Sequence, residues 1–319
     1  MATTKGGRGY HQRDQTLGYL LIVPAFLWLA LLVAYPFFMA IYYSMSEVVL
    51  GGESTFVGLR NFQRLFQDEI FLRTVRNSFV YTISAVTLKA VAGLLLALLL
   101  KRVWKFKRLI RACILLPWVI PSALSALAWL WMYDSLYSVL TWTLNWFIRL
   151  QFLRYFGFSE DQIFDLMDRF NLMPLEINWL GHPGLAMASV IVVNTWVGLP
   201  FFAITLLAGL ISISPEYYEA AEVDGAGVWA QFFHITLPLL KPVLAVVLLF
   251  STIFTFADFN IVYVLTRGGP MNSTHLFATL TNAYAFESLQ IGKGAAVSLF
   301  MFPILVIVVF FQLRYIRKE

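Results

Sequence analysis

The chain has 319 residues, of which 60% are hydrophobic and 13% charged, with a formal net charge of +5 and a mean hydropathy of +0.74. That balance excludes a soluble globular domain and points to a polytopic membrane protein. The positive charge is gathered beside apolar runs, so it reads as membrane topology rather than as a nucleic-acid surface.

In chain order, residues 1–16 form a basic, polar tail with Lys5, Arg8 and Arg13. The apolar run behind it is too long for the core of a signal peptide and has no small-residue cleavage site, so it is expected to stay attached. Six runs reach the roughly 20 predominantly apolar residues that a spanning helix needs: 17–44, 78–100, 112–132, 185–211, 243–265 and 295–313. An even count puts both termini on one side. That side would hold the tail, the dense cluster Lys101, Arg102, Lys105, Lys107, Arg108 and Arg111, then Lys241, Arg314, Arg317 and Lys318. A basic loop this short resists translocation, which makes that side the cytoplasm.

The first outer connection contains Phe56-Val57-Gly58-Leu59-Arg60-Asn61-Phe62, where Phe62, Leu65 and Phe66 fit a surface amphipathic helix. Lys89 lies near the middle of the second span, where an unpaired charge costs at least about 2.5 kcal/mol. It must face the bundle, a partner or water, and a polar contact with a neighbouring helix is its expected use. An ion or proton role is the sharper alternative. Gly93 and Ala97 give that helix a small face on which another can approach closely.

The third span opens with Leu116-Pro117-Trp118-Val119-Ile120-Pro121-Ser122, whose prolines kink a helix or break it against a cavity. The long connection 133–184 follows. Its stretch 138–156 is rich in Trp and Phe but interrupted by Arg149 and Arg154, which suits a helix lying in the interface rather than a seventh span. The fourth span carries Asn194-Thr195-Trp196-Val197-Gly198-Leu199-Pro200-Phe201. The fifth carries Phe254, Phe256, Asp258, Phe259 and Asn260, then Thr266-Arg267-Gly268-Gly269-Pro270. Polar groups and flat aromatics at similar depth in three spans are what a sugar site needs, although periodicity alone allows the same groups to pair helix with helix.

Between the fourth and fifth spans lies a polar stretch, 212–242. Ser214-Pro215 reads as an N-cap and first turn, Asp224-Gly225 stops the helix and turns the chain, and a second short helix follows through Val228 to Ile235, punctuated by Pro238 and Pro242. Glu216, Glu219 and Glu222 share one face of the first helix, a solvated face or an acidic docking surface.

The run Glu219-Ala220-Ala221, Asp224-Gly225-Ala226, then Phe232, Ile235 and Leu237-Pro238 resembles the EAA loop of membrane subunits of bacterial ATP-binding-cassette importers. The Pro-Trp-Val-Ile-Pro-Ser, Asn-x-Trp-x-Gly-x-Pro-Phe and Leu-Thr-x-Gly-Gly-Pro runs resemble the maltose/trehalose/glycerol-phosphate type, from residue 17 to residue 318. The resemblance implies an all-α fold of six transmembrane helices, the type I importer or MetI-like fold, in the bacterial plasma membrane. It implies a cytoplasmic coupling loop in which Glu219 contacts an ATPase subunit and Gly225 allows the bend. Carried over by position, sugar contacts would fall at Trp118, Ser122, Asn194, Val197, Gly198, Phe201, Phe256, Ala257 and Asn260. Ala257 stands where a maltose-type site has an amide, and Trp118 where it has a tyrosine. The implied partners are a second homologous permease subunit, two copies of the ATPase and an external solute-binding protein, with sugar as the cargo, membrane lipid around the spans and no nucleic acid.

The chain lacks the glycine-rich phosphate loop ending in Gly-Lys-Ser/Thr, so ATP and its magnesium are expected on the ATPase partners, with no cofactor here. It lacks hydrolase and dinucleotide patterns, and its lone cysteine, Cys113, and scattered histidines His11, His182, His234 and His275 suggest neither a disulfide nor a metal. A transport subunit rather than an enzyme is the resulting expectation. The alternatives are a glycerol-phosphate or polyol permease of the same fold, an ion-coupled secondary transporter resting on Lys89 and Asp258, and a membrane enzyme or scaffold.

Overall fold

The computed structural model describes residues 7–48, 54–102, 105–135, 137–148, 151–170 and 177–317. Lys5, Arg149 and Lys318, used above, lie outside them. The chain divides into two compact units, residues 1–67 with 281–300, and residues 68–280 with 301–319.

In the first unit, α1 (Gly7–Leu29), a π-helical turn (Ala30–Ala34) and α2 (Tyr35–Ser44) carry the first span. Its most apolar window, within Leu17–Ser44, buries nothing inside the chain, as suits a helix whose neighbours are lipid or another protein. A two-residue antiparallel pair follows, β1 (Ser46–Glu47) with β2 (Thr55–Phe56), then α3 (Arg60–Phe66). The glycine and asparagine of the Gly-x-x-Asn-Phe stretch have separate roles here. Gly58 takes φ +61°, the left-handed conformation that spares glycine a Cβ clash. Asn61 is buried and donates at 2.9 Å to the carbonyls of both Ser44, the last residue of α2, and Ser46 of β1. Thus α3 is an anchored element, more than the surface amphipathic helix that periodicity suggests.

In the second unit, α4 (Glu69–Arg102) is one long helix. Next come α5 (Lys107–Val119) and α6 (Ser122–Met132), bent by 91° across a two-residue break. The expected span 112–132 is therefore two helices. Ile120, which precedes Pro121, is extended at ψ 131°, because the proline ring crowds a helical residue before it. The connection beyond holds α7 (Val139–Ile148), a 3-10 turn (Gln151–Phe156) and α8 (Glu160–Arg169). At ten residues α7 is too short to cross a bilayer. Ser159 and Gln162 form a reciprocal capping box at the start of α8, and Arg154 pairs with Glu160.

The helix α9 (Pro183–Ser212) runs through Pro200 without a break. It lies close along α4. A Cβ added at Gly93 would sit 2.4 Å from Phe202 Cβ, so the small face read from Gly93 and Ala97 is where the two helices meet. After α10 (Glu216–Val223), the chain enters α11 (Val228–Gln231), a π turn (Phe232–Thr236) and α12 (Leu237–Phe256), which follow without interruption. The expected short second helix is thus the start of the fifth membrane helix. Pro238 sits in the first turn after the π bulge, and such bulges re-route the amide ladder around a residue with no N–H. The fifth span also ends earlier than read, at Phe256, and resumes after a break as α13 (Asn260–Leu265). The remaining helices are α14 (Phe277–Asn282), followed by a π turn (Ala283–Glu287), and α15 (Ile291–Arg317).

Among the described residues, five helices are long and apolar enough to cross a membrane, and the α5–α6 pair taken as one span makes six. Two clusters form the core of the second unit. One gathers Tyr81, Ala85, Ala126, Val190, Val193 and Val262, the other Ala97, Phe202, Leu206, Leu210, Leu240 and Val247. The polar residues discussed next lie between them in sequence on α4, α9 and α12.

Candidate functional site: a polar cavity at two helix breaks

Five side chains, four from three helices and one from a helix break, join in a buried network. Lys89 of α4 donates from Nζ to Asn194 Oδ1 of α9 at 2.8 Å and to Thr255 Oγ1 of α12 at 2.7 Å. Asn194 Nδ2 donates in turn to Asp258 Oδ2 at 3.0 Å, and the Tyr81 hydroxyl donates to the same oxygen at 2.5 Å. Asp258 lies in the break between α12 and α13, where its Oδ1 accepts from the amide of Ile261 at 3.4 Å. An acid at that position gives the restarting helix an acceptor for one of its orphan amides, a physical reason for α13 to start there. Gly198 makes room for the lysine stem: a Cβ there would fall 2.6 Å from Lys89 Cδ. Lys89 therefore has the helix-to-helix polar contact expected of a cation at membrane depth.

The network forms one wall of a cavity of about 360 Å3. Trp118, in the last turn of α5, stacks on Phe201 with ring centroids 5.8 Å apart and planes 16° apart. Asn260 Nδ2 donates to Ser122 Oγ at 3.0 Å, linking the first residue of α13 to the first of α6. Both breaks thus open on the same space, and a break exposes backbone and short side chains that a continuous helix would cover.

Of the nine positions read as sugar contacts, Trp118, Ser122, Asn194, Val197, Gly198, Phe201, Ala257 and Asn260 line the cavity. Phe256 does not. It is 3% exposed, and its ring packs against Phe79 and Phe277 at 5.8 and 5.5 Å. The helix turns it inward, while Phe254 and Phe259 line the cavity instead. Ser251 and Thr255, absent from the sequence reading, also line it, as do Lys89 and Asp258. The spacing of Ser251, Thr255 and Asp258 is i, i+4, i+7, one helix face, and that periodicity was the available signal.

A second group of residues is set apart from the cavity, on α10 and α11. Glu216, Glu219, Ala220, Glu222 and Asp224 are exposed, Ala221 and Ala226 half-buried. The turn is a Schellman motif: the amide of Ala226 reaches the carbonyl of Ala221 at 2.8 Å, that of Gly225 the carbonyl of Glu222 at 3.0 Å, and Gly225 has φ +78°. The expected Ser214 side-chain cap is not formed. Pro215 occupies the N-cap, and the amides of Tyr217 and Glu219 go to the carbonyls of Ser214 and Pro215. Beyond the turn, Val228, Trp229 and Phe233 are exposed, Ile235 lies half-buried in the π turn, and Leu237 and Pro238 start α12. Tyr218 ties α10 to the spans, with its hydroxyl 3.0 Å from Thr236 Oγ1 and Lys101 Nζ 4.8 Å from its ring centre.

Comparison with known proteins adds the following. The family model described as binding-protein-dependent transport system inner membrane component matches residues 89–318. The trehalose/maltose transport system permease protein of Thermococcus litoralis is 33% identical over 306 residues, covering 96% of this chain and 94% of that protein. The sulfoquinovosyl glycerol transport system permease protein of Agrobacterium fabrum is 34% identical over 308 residues, covering 96% and 92%. A crystal structure of a bacterial ABC transporter involved in import of the acidic polysaccharide alginate matches with a TM-score of 0.74, 21% identity and 96% of each chain covered. The same kind of transporter in complex with an alginate pentasaccharide-bound periplasmic protein matches at 0.71, with 21% identity and 94% and 93% coverage. At that identity the two structures speak for a shared fold.

Proposed function

The chain belongs to the family of binding-protein-dependent transport system inner membrane components, and from that membership we propose that it is the membrane-spanning permease subunit of an ATP-driven sugar importer. The observation that carries the sugar assignment is the cavity where two helix breaks meet, walled by a stacked Trp118–Phe201 pair and by hydroxyl and amide groups. Flat rings stack on the apolar face of a pyranose, and Ser122, Asn194 and Asn260 offer partners for its hydroxyls. The names of the two relatives, both permeases for sugar-containing solutes, support the same reading.

Four further parts belong to the proposal. A solute-binding protein delivers the cargo from outside, as the periplasmic protein in the related alginate complex suggests. A second permease subunit completes the pathway. Two ATPase copies bind ATP and magnesium and grip the loop 212–242, for which the exposed Glu216, Glu219 and Glu222 and the apolar Val228, Trp229 and Phe233 offer a docking surface. Both termini and that loop face the cytoplasm of a bacterial plasma membrane, following the basic cluster 101–111. When the ATPases close, the loops draw together, Tyr218 and the unbroken α11–α12 rod pass the motion to the spans, and the cavity changes the side to which it opens.

Uptake into vesicles carrying the complete transporter tests this reading, with a panel of neutral di- and trisaccharides, uronate-bearing oligosaccharides, sulfonated sugars and sugar phosphates. Uptake that needs ATP and the binding protein and stops with vanadate is the expected result. Uptake that continues in vanadate, or of no panel member, would remove it.

A further inference from the structure

Among the described residues lining the cavity, only Lys89 and Asp258 carry charge. They stand on the two sides of the Asn194 carboxamide, which accepts from the first and donates to the second. Both are engaged elsewhere as well. Lys89 gives a second hydrogen to Thr255, and Asp258 accepts from Tyr81 and from the amide of Ile261. The two charges sum to zero, and the sum stays zero if a proton passes from the ammonium to the carboxylate. The other polar side chains described on the same wall, among them Ser122 and Asn260, are uncharged.

Resting on the sugar-importer reading, we propose that Lys89 and Asp258 are the specificity-determining pair of the cavity, holding it net neutral so that it accepts uncharged polyhydroxylated solutes and rejects sugars bearing carboxylate, sulfonate or phosphate. An anionic solute entering this space gives up its hydration and meets a cation whose charge is already balanced by a neighbour, so the loss is not recovered. A neutral ring loses less and gains the Ser122–Asn260 pair and the Trp118 face. The charge balance argues against a sulfonated cargo for this chain, whatever a 34% identical relative is named for.

The test is equilibrium binding of the radiolabelled panel to the complete transporter in lipid nanodiscs, without added binding protein, for the wild type, Lys89→Met, Asp258→Asn and the double variant. In the wild type the tightest solute is expected to be neutral, with its uronate or phosphate derivative at least about tenfold weaker. Asp258→Asn leaves one net positive charge, so it should bind the neutral solute about tenfold worse and the anionic derivative about tenfold better. Lys89→Met should weaken the neutral solute similarly and gain nothing for the anion. The double variant removes both charges together and should return to within about threefold of wild type for the neutral solute while still rejecting the anion. That reversal and recovery of preference would not follow from a merely structural role.

A wild-type transporter whose tightest solute is anionic, or an Asp258→Asn variant with unchanged preference, overturns the inference and leaves the importer reading standing. Absence of binding and uptake for every panel member brings down the sugar reading itself. Should the single variants fail to assemble, the double variant decides: binding both solutes equally, or neither when assembled, overturns the pair's role.

Discussion

Asn194 has a cation on one side of its carboxamide and an anion on the other, so its orientation is set by the protein before any solute arrives. Asn194→Ala leaves Lys89 with one partner fewer and Asp258 likewise, and groups that lose a partner in a buried setting cost about 2 kcal/mol. The expected outcome is a lower unfolding temperature of the purified complex together with loss of uptake by about tenfold or more. Normal uptake by an assembled variant would remove Asn194 from the site. Gly198 is the complementary position, where a side chain would occupy the space of the Lys89 stem. Gly198→Val should displace the lysine and weaken solute binding, seen as a raised KM for uptake with normal membrane insertion; an unchanged KM would show that the stem can give way. Sequence reading placed both residues at the site from their motif. It could not link them to Lys89, because a contact between residues 89 and 194 is created only by the way α4 lies on α9.

Among the elements, continuity is decided by local chemistry in some places and by context in others. The break at Pro121 follows from the proline and was legible as a kink or a break, yet the 91° turn was not. Pro200 has the same missing amide, but α9 stays continuous, and residues on both sides of Pro200 pack with α4. The strongest packing test is Gly93→Val, which forces a branched side chain onto Phe202 and α9. An overpacking cost of about 1–3 kcal/mol is expected, read as a fall in thermal stability or failure to assemble. At the α10 turn, Gly225 holds a positive φ that a β-branched residue resists. Gly225→Val should strain the turn by roughly 1–2 kcal/mol and lower the coupling of ATP hydrolysis to uptake, leaving solute binding unchanged. Coupling equal to wild type would mean that the turn need not keep this shape.

For the whole molecule, the proposal requires the loop 212–242 to meet an ATPase inside the cell. Glu219 is exposed and can be reversed without disturbing the core. Glu219→Lys should leave insertion and solute binding intact while abolishing co-purification of the ATPase, since reversing a charge on a docking face turns attraction into repulsion. Co-purification at wild-type yield would count against that contact. Orientation is tested separately in a Cys113→Ser background with Gly227→Cys: an impermeant thiol reagent should label inverted vesicles and not intact cells. Labelling of intact cells would reverse the topology and leave no ATPase within reach.

The sequence by itself determined what depends on composition and near neighbours in the chain. Six apolar runs, the basic cluster beside them and the glycine that turns α10 were legible because bilayer thickness and local backbone sterics act on contiguous residues, and the family was legible as a resemblance of short motifs such as Glu219-Ala220-Ala221 and Asp224-Gly225-Ala226. Eight of the nine positions read by motif also line the cavity. Only the tertiary structure decided that the fifth span stops at Phe256, that Phe256 faces Phe79 and Phe277 rather than the cavity, and that Lys89, Asn194, Thr255 and Asp258 form one chain of hydrogen bonds. Those outcomes depend on the rotation of each helix about its axis and on its neighbour, which are set by close packing between residues far apart in sequence.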